Sequence, residues 1–243
     1  MIVRLFIWVK LAGGRLGYPE KSIGGWMVGQ AVDKALPLEF VNHLAHFLLA
    51  FEDPDYLVGQ FIADAVKGSS YTRYPTEVAR GILLHRHIDH LTDIHPACRE
   101  LRAVLRPHLG LYTPVAMDLY FDHFLALNWA HWHTDSLKAF ADRCYSTLQS
   151  CAFPLPERMQ TALHYMSTYD WLTAYASREG VNRSLLGLSA RVKGGEILEK
   201  APEVLARNES GISQTFDYFF PELHESCRLK LSTFATDRPE TSG

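Results

Sequence analysis

Histidine and aspartate residues occur at helical spacing along the first half of this chain. At about 100° per residue, His85 and Asp89 continue a row that begins with the apolar residues Val78 and Ile82. Burying a charge costs several kcal/mol, by order of magnitude, unless the charge is paired or bound to a metal. The pattern therefore indicates that this histidine and this aspartate meet a compensating partner in the interior.

More acids and histidines follow the same pattern on other segments. Asp118 and Asp122 lie one turn apart on a core-facing row, with His123 at its edge, and Asp64 and His46 also face inward. Two carboxylates one turn apart repel each other in a dry site, and a divalent cation removes that repulsion. Inward oxygen and nitrogen donors without cysteine suit Mn²⁺, Mg²⁺, Fe or Zn²⁺ chemistry on phosphate esters.

Each of these signals also has a purely structural explanation. A lone inward histidine such as His46 is more often a hydrogen-bonded core residue than a ligand. His85 and Asp89 could form a structural pair, and Asp118 could cap a helix or pair with Arg86. Only the sum of the signals favours a metal site.

The segments that position these residues are predicted to be helices, since no alternating strand pattern appears from Val41 onward. Residues 1–40 contain glycine-rich turns without sustained periodicity and are predicted to be loop or disordered, and 231–243 a flexible tail. One all-α domain over 41–230 remains. Its predicted helices cover about 42–51, 55–67, 76–91, 95–107, a segment from 113 onward, 134–150, 156–178, 181–190 and 201–226.

Composition restricts the functional classes. The chain has 243 residues, a net charge of −3 and no apolar run approaching the roughly 20 residues of a membrane span, so we expect neither a nucleic-acid partner nor a membrane. Its four cysteines form no CxxC pair, which is typical of a reducing compartment and predicts a cytoplasmic protein.

Several motifs occur together in order and with compatible spacing. The chain resembles the acyl carrier protein phosphodiesterases from about residue 41 to 230, on the runs Asn42 to His46, Gly59 to Asp64, His85 to Asp89, Asp118 to Leu125, Trp171-Leu172 and Phe220 to Leu223. The resemblance implies an all-α fold similar to the HD-domain phosphohydrolases. It also implies hydrolysis, with a divalent metal such as Mn²⁺, of the phosphodiester between 4′-phosphopantetheine and a serine of acyl carrier protein.

Carried over onto this chain, the resemblance implies a set of site residues and a partner. The metal, Mn²⁺ with Mg²⁺ or Fe²⁺ as alternatives, is expected on His46, Asp64, His85, Asp89, Asp118 and Asp122. Asp64, His123 and Arg86 are expected to be catalytic, Arg86 as a clamp on the phosphate. The family begins just before its Asn-x-Leu-Ala-His run, so we hypothesise that translation starts at Val41.

The partner implied is acyl carrier protein, which is small and acidic. Arg99, Arg102 and Arg106 share one helix face, and we expect this stripe to receive it, although a solvated helix face has the same pattern. Two other functions stay open: an HD-like phosphohydrolase of another small phosphodiester or nucleotide, and a non-catalytic helical module that binds carrier proteins. A ferritin-like carboxylate bundle is disfavoured because its Glu-x-x-His motif is missing.

Overall fold

The structure is a computed structural model that describes residues 43–236. This part of the chain contains ten α-helices and no β-strand, which confirms the predicted all-α class. The predicted extension over 1–40 and the motif residues Val41 and Asn42 lie outside the described residues. The similarity to HD-domain phosphohydrolases stays a prediction.

The helices follow one another through short turns and 3-10 segments. Their bounds are Leu44–Leu48 (α1), Pro54–Ile62 (α2), Thr76–Ile94 (α3), Pro96–Leu109 (α4), Thr113–Leu127 (α5), Leu137–Gln149 (α6), Glu157–Thr168 (α7), Trp171–Ala174 (α8), Arg178–Ser189 (α9) and Ala201–Thr236 (α10). Two 3-10 segments matter for the site, Ala63–Ala65 and Gly68–Arg73. Within the described range, no helix combines the length and hydropathy needed to cross a membrane.

Helices α2 and α3 cross where two glycines meet. A Cβ atom on Gly59 would lie 2.3 Å from the carbonyl oxygen of Val78 and 2.7 Å from Cα of Gly81. A Cβ on Gly81 would lie 2.5 Å from the carbonyl oxygen of Tyr56. Glycine therefore allows the two backbones to approach closely, and this approach places the residue after Gly59 beside the middle of α3.

The long helix α10 closes the other side of the core. It packs against α3, α4, α5 and α9, and its Phe216 and Phe219 contact Phe121 of α5 with ring centroids 6.0 Å apart in both pairs. Large aromatic side chains bury much apolar area, which is the main favourable term in such a core. The elements that carry the histidines and aspartates are thus fixed from both sides.

Several predicted helix bounds were wrong. The predicted helix over 55–67 ends at Ile62 and continues as a 3-10 turn, so Asp64 lies in that turn. The predicted helix over 156–178 is interrupted at Asp170, whose φ of 47° is left-handed and tolerated by aspartate. The last helix extends to Thr236 instead of 226. The predicted tail over 231–243 overlaps this helix up to 236, and its remainder lies outside the described residues.

Candidate metal centre

Four of the predicted site residues meet in one place, and we call them the His/Asp cluster: His46, Asp64, His85 and Asp89. Nε2 of His85 lies 3.4 Å from Oδ2 of Asp89 and 3.5 Å from Oδ1 of Asp64, and Nε2 of His46 lies 3.7 Å from Oδ1 of Asp89. The two imidazole rings stack with centroids 4.0 Å apart. Both histidines are buried, whereas the Asp64 and Asp89 side chains are 35% and 22% exposed, so the cluster opens on its carboxylate side.

Gln60 orients both histidines of the cluster. Nδ1 of His85 donates to the backbone carbonyl oxygen of Gln60 at 3.0 Å, and Nδ1 of His46 donates to the side-chain Oε1 of the same residue at 3.0 Å. A neutral imidazole that donates from Nδ1 keeps its lone pair on Nε2. Nε2 of both rings therefore faces the carboxylates of the cluster and offers its lone pair whenever the ring is neutral, which is the usual arrangement of histidines that bind a metal.

The spacing of the donor atoms tests whether a cation fits. Ligands about 2.1 Å from one ion are roughly 3.0–3.5 Å apart, whereas a direct charge-assisted hydrogen bond is about 2.7–2.9 Å long. The observed separations of 3.4 and 3.5 Å fall in the first range, the third, 3.7 Å, is slightly above it, and all three are too long for direct hydrogen bonds of that kind. Ligand atoms of His46, His85 and Asp89 all lie within 4.8 Å of one another, so these three residues fit a metal ion.

The electrostatics of the cluster differ between its two histidines. Burial, aided by the nearby His85, lowers the pKa of His46 to about 3, so His46 is neutral. Burial alone would lower the pKa of His85, but the carboxylates of Asp89 and Asp64 outweigh it and raise this pKa to about 10. Burial likewise opposes ionisation of Asp64, yet its interaction with His85 keeps the pKa of Asp64 below its usual value. The cluster thus attracts positive charge at the position that Nε2 of His85 faces.

Asp122 lies outside the cluster and holds the start of α1. Its two carboxylate oxygens accept hydrogen bonds from the backbone N–H groups of Leu44 at 3.0 Å and Ala45 at 2.9 Å. These N–H groups have no partner within the helix, and the preceding His43 offers no side-chain cap. Burial raises the pKa of Asp122 to about 7, against the lowering effect of the two N–H groups and with a further rise from Asp118.

Two further residues predicted for the site, Asp118 and His123, lie on α5. Asp118 is half-buried one turn before Asp122. His123 is buried, and its Nδ1 donates to the carbonyl oxygen of Tyr175 at 2.6 Å. Burial lowers the pKa of His123. Of the six predicted ligands, four form the His/Asp cluster, and a role of Asp118 and Asp122 as ligands stays a prediction.

Arg86 points to backbone carbonyls beside the cluster. Its two terminal nitrogens donate to the carbonyl oxygens of Val66 and Gly68, both at 2.8 Å, and its guanidinium lies over the Tyr71 ring. A guanidinium engaged in this way fastens the segment that follows Asp64. The predicted phosphate clamp thus has one N–H of each terminal nitrogen bonded to the backbone, and its role on the phosphate stays a prediction.

Sequence reasoning missed two residues at the site. Gln60 is a lone amide in an apolar run, and a polar residue at such a position is a signal of a buried hydrogen-bonding role. Arg158 reaches the carbonyl oxygen of Asp64 from α7, 94 residues away, and no local pattern indicates this contact. The sequence thus carried a signal for Gln60, whereas the contact of Arg158 could be found only once the helices were packed.

The predicted arginine stripe on α4 is interrupted. Arg102 forms an ion pair with Asp93 at 3.0 Å and also donates to the backbone carbonyl oxygens of Thr92 and Asp93. Its side chain therefore caps the C-terminal end of α3. Arg99 and Arg106 are exposed. The stripe thus presents two outward arginines instead of three.

A second group of potential ligands, Glu52, His133 and Asp135, is an ion-pair network. Nε2 of His133 donates to Glu52 at 2.8 Å, while its Nδ1 accepts from the backbone N–H of Asp135 at 3.0 Å. Both ring nitrogens are therefore used, and Arg143 pairs with both acids. This group does not offer a histidine lone pair to a cation.

The chain matches one protein family over most of its length. The family model described as acyl carrier protein phosphodiesterase matches residues 41–223. The acyl carrier protein phosphodiesterase of Enterobacter sp. (strain 638) is 30% identical over 191 residues, which cover 78% of this chain and 99% of that protein. Those of Salmonella paratyphi A and Photorhabdus laumondii are each 29% identical, over 75% and 78% of this chain and 95% and 96% of their own lengths. No solved structure matches the chain significantly.

Proposed function

Because the chain belongs to the acyl carrier protein phosphodiesterase family, we propose that it hydrolyses the phosphodiester between 4′-phosphopantetheine and a serine of holo acyl carrier protein. The family name describes a phosphoric diester hydrolase, and this chain is an enzyme of that class. The products are apo carrier protein, with its serine hydroxyl restored, and 4′-phosphopantetheine. The four cysteines are free thiols, which suits the cytoplasmic location expected for such an enzyme.

One observation carries the metal dependence of this proposal. Gln60 accepts hydrogen bonds from Nδ1 of both His46 and His85, so Nε2 of each ring faces Asp89, and a cation bound there would replace the proton on His85. A divalent cation, for which we propose Mn²⁺, would be held by these two histidines and Asp89, and when bound it would lower the pKa of water and polarise the phosphoryl oxygens.

Asp64 and Arg158 would act on the open side of the cluster. The Asp64 carboxylate is the most exposed of the four, and its lowered pKa keeps it ionised, so it is placed to accept a proton from the attacking water. Arg158 donates to the backbone carbonyl of Asp64, which brings a guanidinium to the same opening. A guanidinium matches the oxygens of a phosphodiester, so we assign substrate-phosphate binding to Arg158.

The reaction is tested by intact mass of the carrier protein. Holo acyl carrier protein is incubated with purified enzyme and Mn²⁺, with and without EDTA, alongside Asp89→Asn and a control, Asp142→Asn, which changes an exposed carboxylate on α6. With wild type and with Asp142→Asn, we expect the carrier protein to lose the mass of phosphopantetheine. With EDTA, or with Asp89→Asn, the mass of the carrier protein should not change. Arg158→Ala should lower kcat/KM by about 10²-fold or more while leaving metal content unchanged.

Two outcomes would contradict the proposal in different ways. Cleavage that persists in EDTA would show that hydrolysis does not require a divalent metal. An enzyme that binds Mn²⁺ but leaves holo carrier protein intact would instead act on another phosphodiester, such as the small phosphodiester or nucleotide of an HD-like phosphohydrolase. A panel of such esters then separates these substrates.

A further inference from the structure

Under the proposed function, on which this inference rests, the substrate carries a long arm beyond the reacting phosphate. Pantetheine contains a dimethyl-substituted carbon, a hydroxyl group, two amides and a terminal thiol, and it is uncharged at neutral pH. When extended it is about as long as four to five residues of extended chain, or about 15 Å. Binding energy from such a remote part of a substrate can accelerate the reaction at the phosphorus. A site for the arm is therefore expected within that distance of the His/Asp cluster.

A cavity of about 400 Å³ lies between the end of α6 and one face of α7. This volume is typical of clefts that bind small molecules. The walls combine apolar side chains with uncharged polar ones, among them Leu148, Phe153 and Leu163, and Gln149, Gln160 and Ser167. Among the described residues that line the cavity, none is Asp, Glu, Lys or Arg. The cavity therefore suits a neutral ligand and not a nucleotide, whose phosphates need cations.

Two contacts join the walls of this cavity to the elements that carry the His/Asp cluster. Arg158, two residues before Gln160 on α7, donates to the backbone carbonyl oxygen of Asp64 at 2.5 Å. Phe153 packs against Tyr74, two residues before α3 begins, with ring centroids 5.7 Å apart. From helix geometry and the length of an extended arginine side chain, Cα of Gln160 lies at most about 15 Å from that carbonyl oxygen. The cavity is thus within reach of an arm whose phosphate lies at the cluster.

The hydrogen-bonding groups of the walls match the amides and the hydroxyl group of pantetheine. Nε2 of Gln160 donates to the backbone carbonyl oxygen of Leu155 at 2.7 Å, which holds the side chain and leaves its Oε1 as an acceptor. Gln149 is exposed at the end of α6, and its amide offers both donors and an acceptor. Oγ of Ser167 donates to the carbonyl oxygen of Leu163 at 2.8 Å and keeps its lone pairs for an N–H donor. The apolar wall would cover the dimethyl-substituted carbon and the methylene groups.

We propose that the cavity between α6 and α7 binds the pantetheine arm of the carrier protein while the phosphate lies at the His/Asp cluster. The arm then passes Arg158 and brings its terminal thiol into the cavity, whose wall includes the half-buried Cys151. The other cysteines of the chain are buried, namely Cys98, Cys144 and Cys227. Cys151 can therefore report on the position of the arm.

A disulfide trap locates the arm without requiring cleavage. The thiol of holo carrier protein is converted to its 2-thiopyridyl disulfide, and this reagent is incubated with the enzyme in EDTA. The thiolate of Cys151 attacks the pantetheine sulfur, a disulfide forms between these two sulfur atoms, and 2-thiopyridone leaves with the electron pair of the broken bond. Glutathione 2-thiopyridyl disulfide, which has no pantetheine, measures the intrinsic reactivity of Cys151. The control variant Cys151→Ser/Ser210→Cys places the cysteine at an exposed position on α10.

We expect Cys151 to react at least about tenfold faster with the carrier reagent than with the glutathione reagent, because binding in the cavity raises the effective concentration of the pantetheine sulfur. Peptide mapping of the adduct should place the disulfide at Cys151. The control variant should react no faster with the carrier reagent than with the glutathione reagent. Equal rates of the two reagents at Cys151 would overturn the proposal.

Filling the cavity gives a second, kinetic test. Ser167→Phe narrows the cavity, and Ser213→Phe makes the same change at a half-buried position on α10. Both variants are assayed with Mn²⁺ on holo carrier protein and on bis(p-nitrophenyl) phosphate, which lacks the arm. The ratio of kcat/KM for the carrier to kcat/KM for the small diester should fall on the order of tenfold in Ser167→Phe and match wild type in Ser213→Phe. A wild-type ratio in Ser167→Phe would contradict a pantetheine site in this cavity.

Failure of the proposed function can be told apart from failure of the pantetheine site. A wild type that traps the carrier on Cys151 but does not cleave it would refute the proposed reaction and leave the pantetheine site standing. A wild type that cleaves the carrier, while Cys151 reacts equally with both reagents, would leave the reaction standing and overturn the pantetheine site.

Discussion

At the scale of single residues, Gln60 decides how the histidines of the cluster are oriented. Its side-chain oxygen fixes His46, and its backbone oxygen fixes His85. The side-chain Nε2 of Gln60 is buried and has no hydrogen-bond partner within the described range. An amide that leaves one buried donor unsatisfied is a poor stabiliser of the fold. Its value therefore lies in orienting the site.

We predict that Gln60→Leu weakens Mn²⁺ binding by about 10–100-fold, because such supporting partners of metal-binding histidines usually contribute that much. The free energy of unfolding should fall by about 1–3 kcal/mol at most, since leucine removes the unsatisfied Nε2 of Gln60 but leaves the buried Nδ1 of His46 without its acceptor. Calorimetric titration with Mn²⁺ and denaturant unfolding of the metal-free protein measure the two effects. Gln214→Leu, an exposed change on α10, is the control, and equal Mn²⁺ affinity of the two variants would contradict this role.

At the scale of elements, a five-residue helix needs outside support, and α1 receives it from α5. The carboxylate of Asp122 accepts from the N–H groups of Leu44 and Ala45, two residues before His46 and one residue before it. An isolated helix this short is unstable in water. Asp122 therefore contributes to the site by holding the helix that carries His46.

We predict that Asp122→Ala lowers the free energy of unfolding by about 1–3 kcal/mol, since it leaves two N–H groups of α1 without an acceptor. Amides of α1 should exchange with solvent faster, which hydrogen exchange measures. Because the His/Asp cluster keeps all its members, the variant should still bind Mn²⁺ at saturating concentration. A stable variant that has lost Mn²⁺ binding would show that Asp122 is a ligand, as the sequence first indicated. Asp142→Ala, an exposed change on α6, is the control.

The glycine contact between α2 and α3 sets the distance between Gln60 and His85. We predict that Gly59→Ala lowers the free energy of unfolding by about 1–3 kcal/mol, because its Cβ would lie 2.3 Å from a carbonyl oxygen. Gly211 in α10 has open space around an added Cβ, so Gly211→Ala should stabilise by about 0.5–1 kcal/mol. Thermal melts compare the two. We expect the melting temperature to fall in Gly59→Ala and to rise in Gly211→Ala. If both variants melt lower than wild type, replacing glycine would itself be the cause, and not the contact between α2 and α3.

Helical periodicity could predict the direction of a side chain but not the element that it meets. It correctly indicated that His46, His85 and Asp89 face inward. The same signal at Asp122 marks a cap on another helix, because a buried carboxylate satisfies backbone N–H groups as readily as a cation. Helix ends were the weakest predictions, as at Asp170, where a left-handed residue inside a periodic pattern stops the helix. Arg158 could not be predicted at all, since its partner is 94 residues away.

At the scale of the whole molecule, the His/Asp cluster joins elements that are distant in sequence. His46 lies on α1, Asp64 on the turn after α2, and His85 and Asp89 on α3. A cation bound by residues from separate helices binds the folded chain and not the unfolded one, since unfolding disperses its ligands. Metal binding must therefore stabilise the entire fold and not only the site.

We predict that Mn²⁺ at 100 times its Kd raises the free energy of unfolding by about 2.7 kcal/mol, because a ligand that binds only the native state shifts the equilibrium by that amount. For a domain of this size the melting temperature should rise by about 5–10 °C over the EDTA-treated protein, as followed by circular dichroism. Gln60→Leu should need about 10–100 times more Mn²⁺ for the same rise, and Asp89→Asn should show none. A melting temperature that does not respond to millimolar Mn²⁺ would refute a metal centre in the His/Asp cluster, whereas an equal response in Asp89→Asn would place the bound ion elsewhere on the molecule.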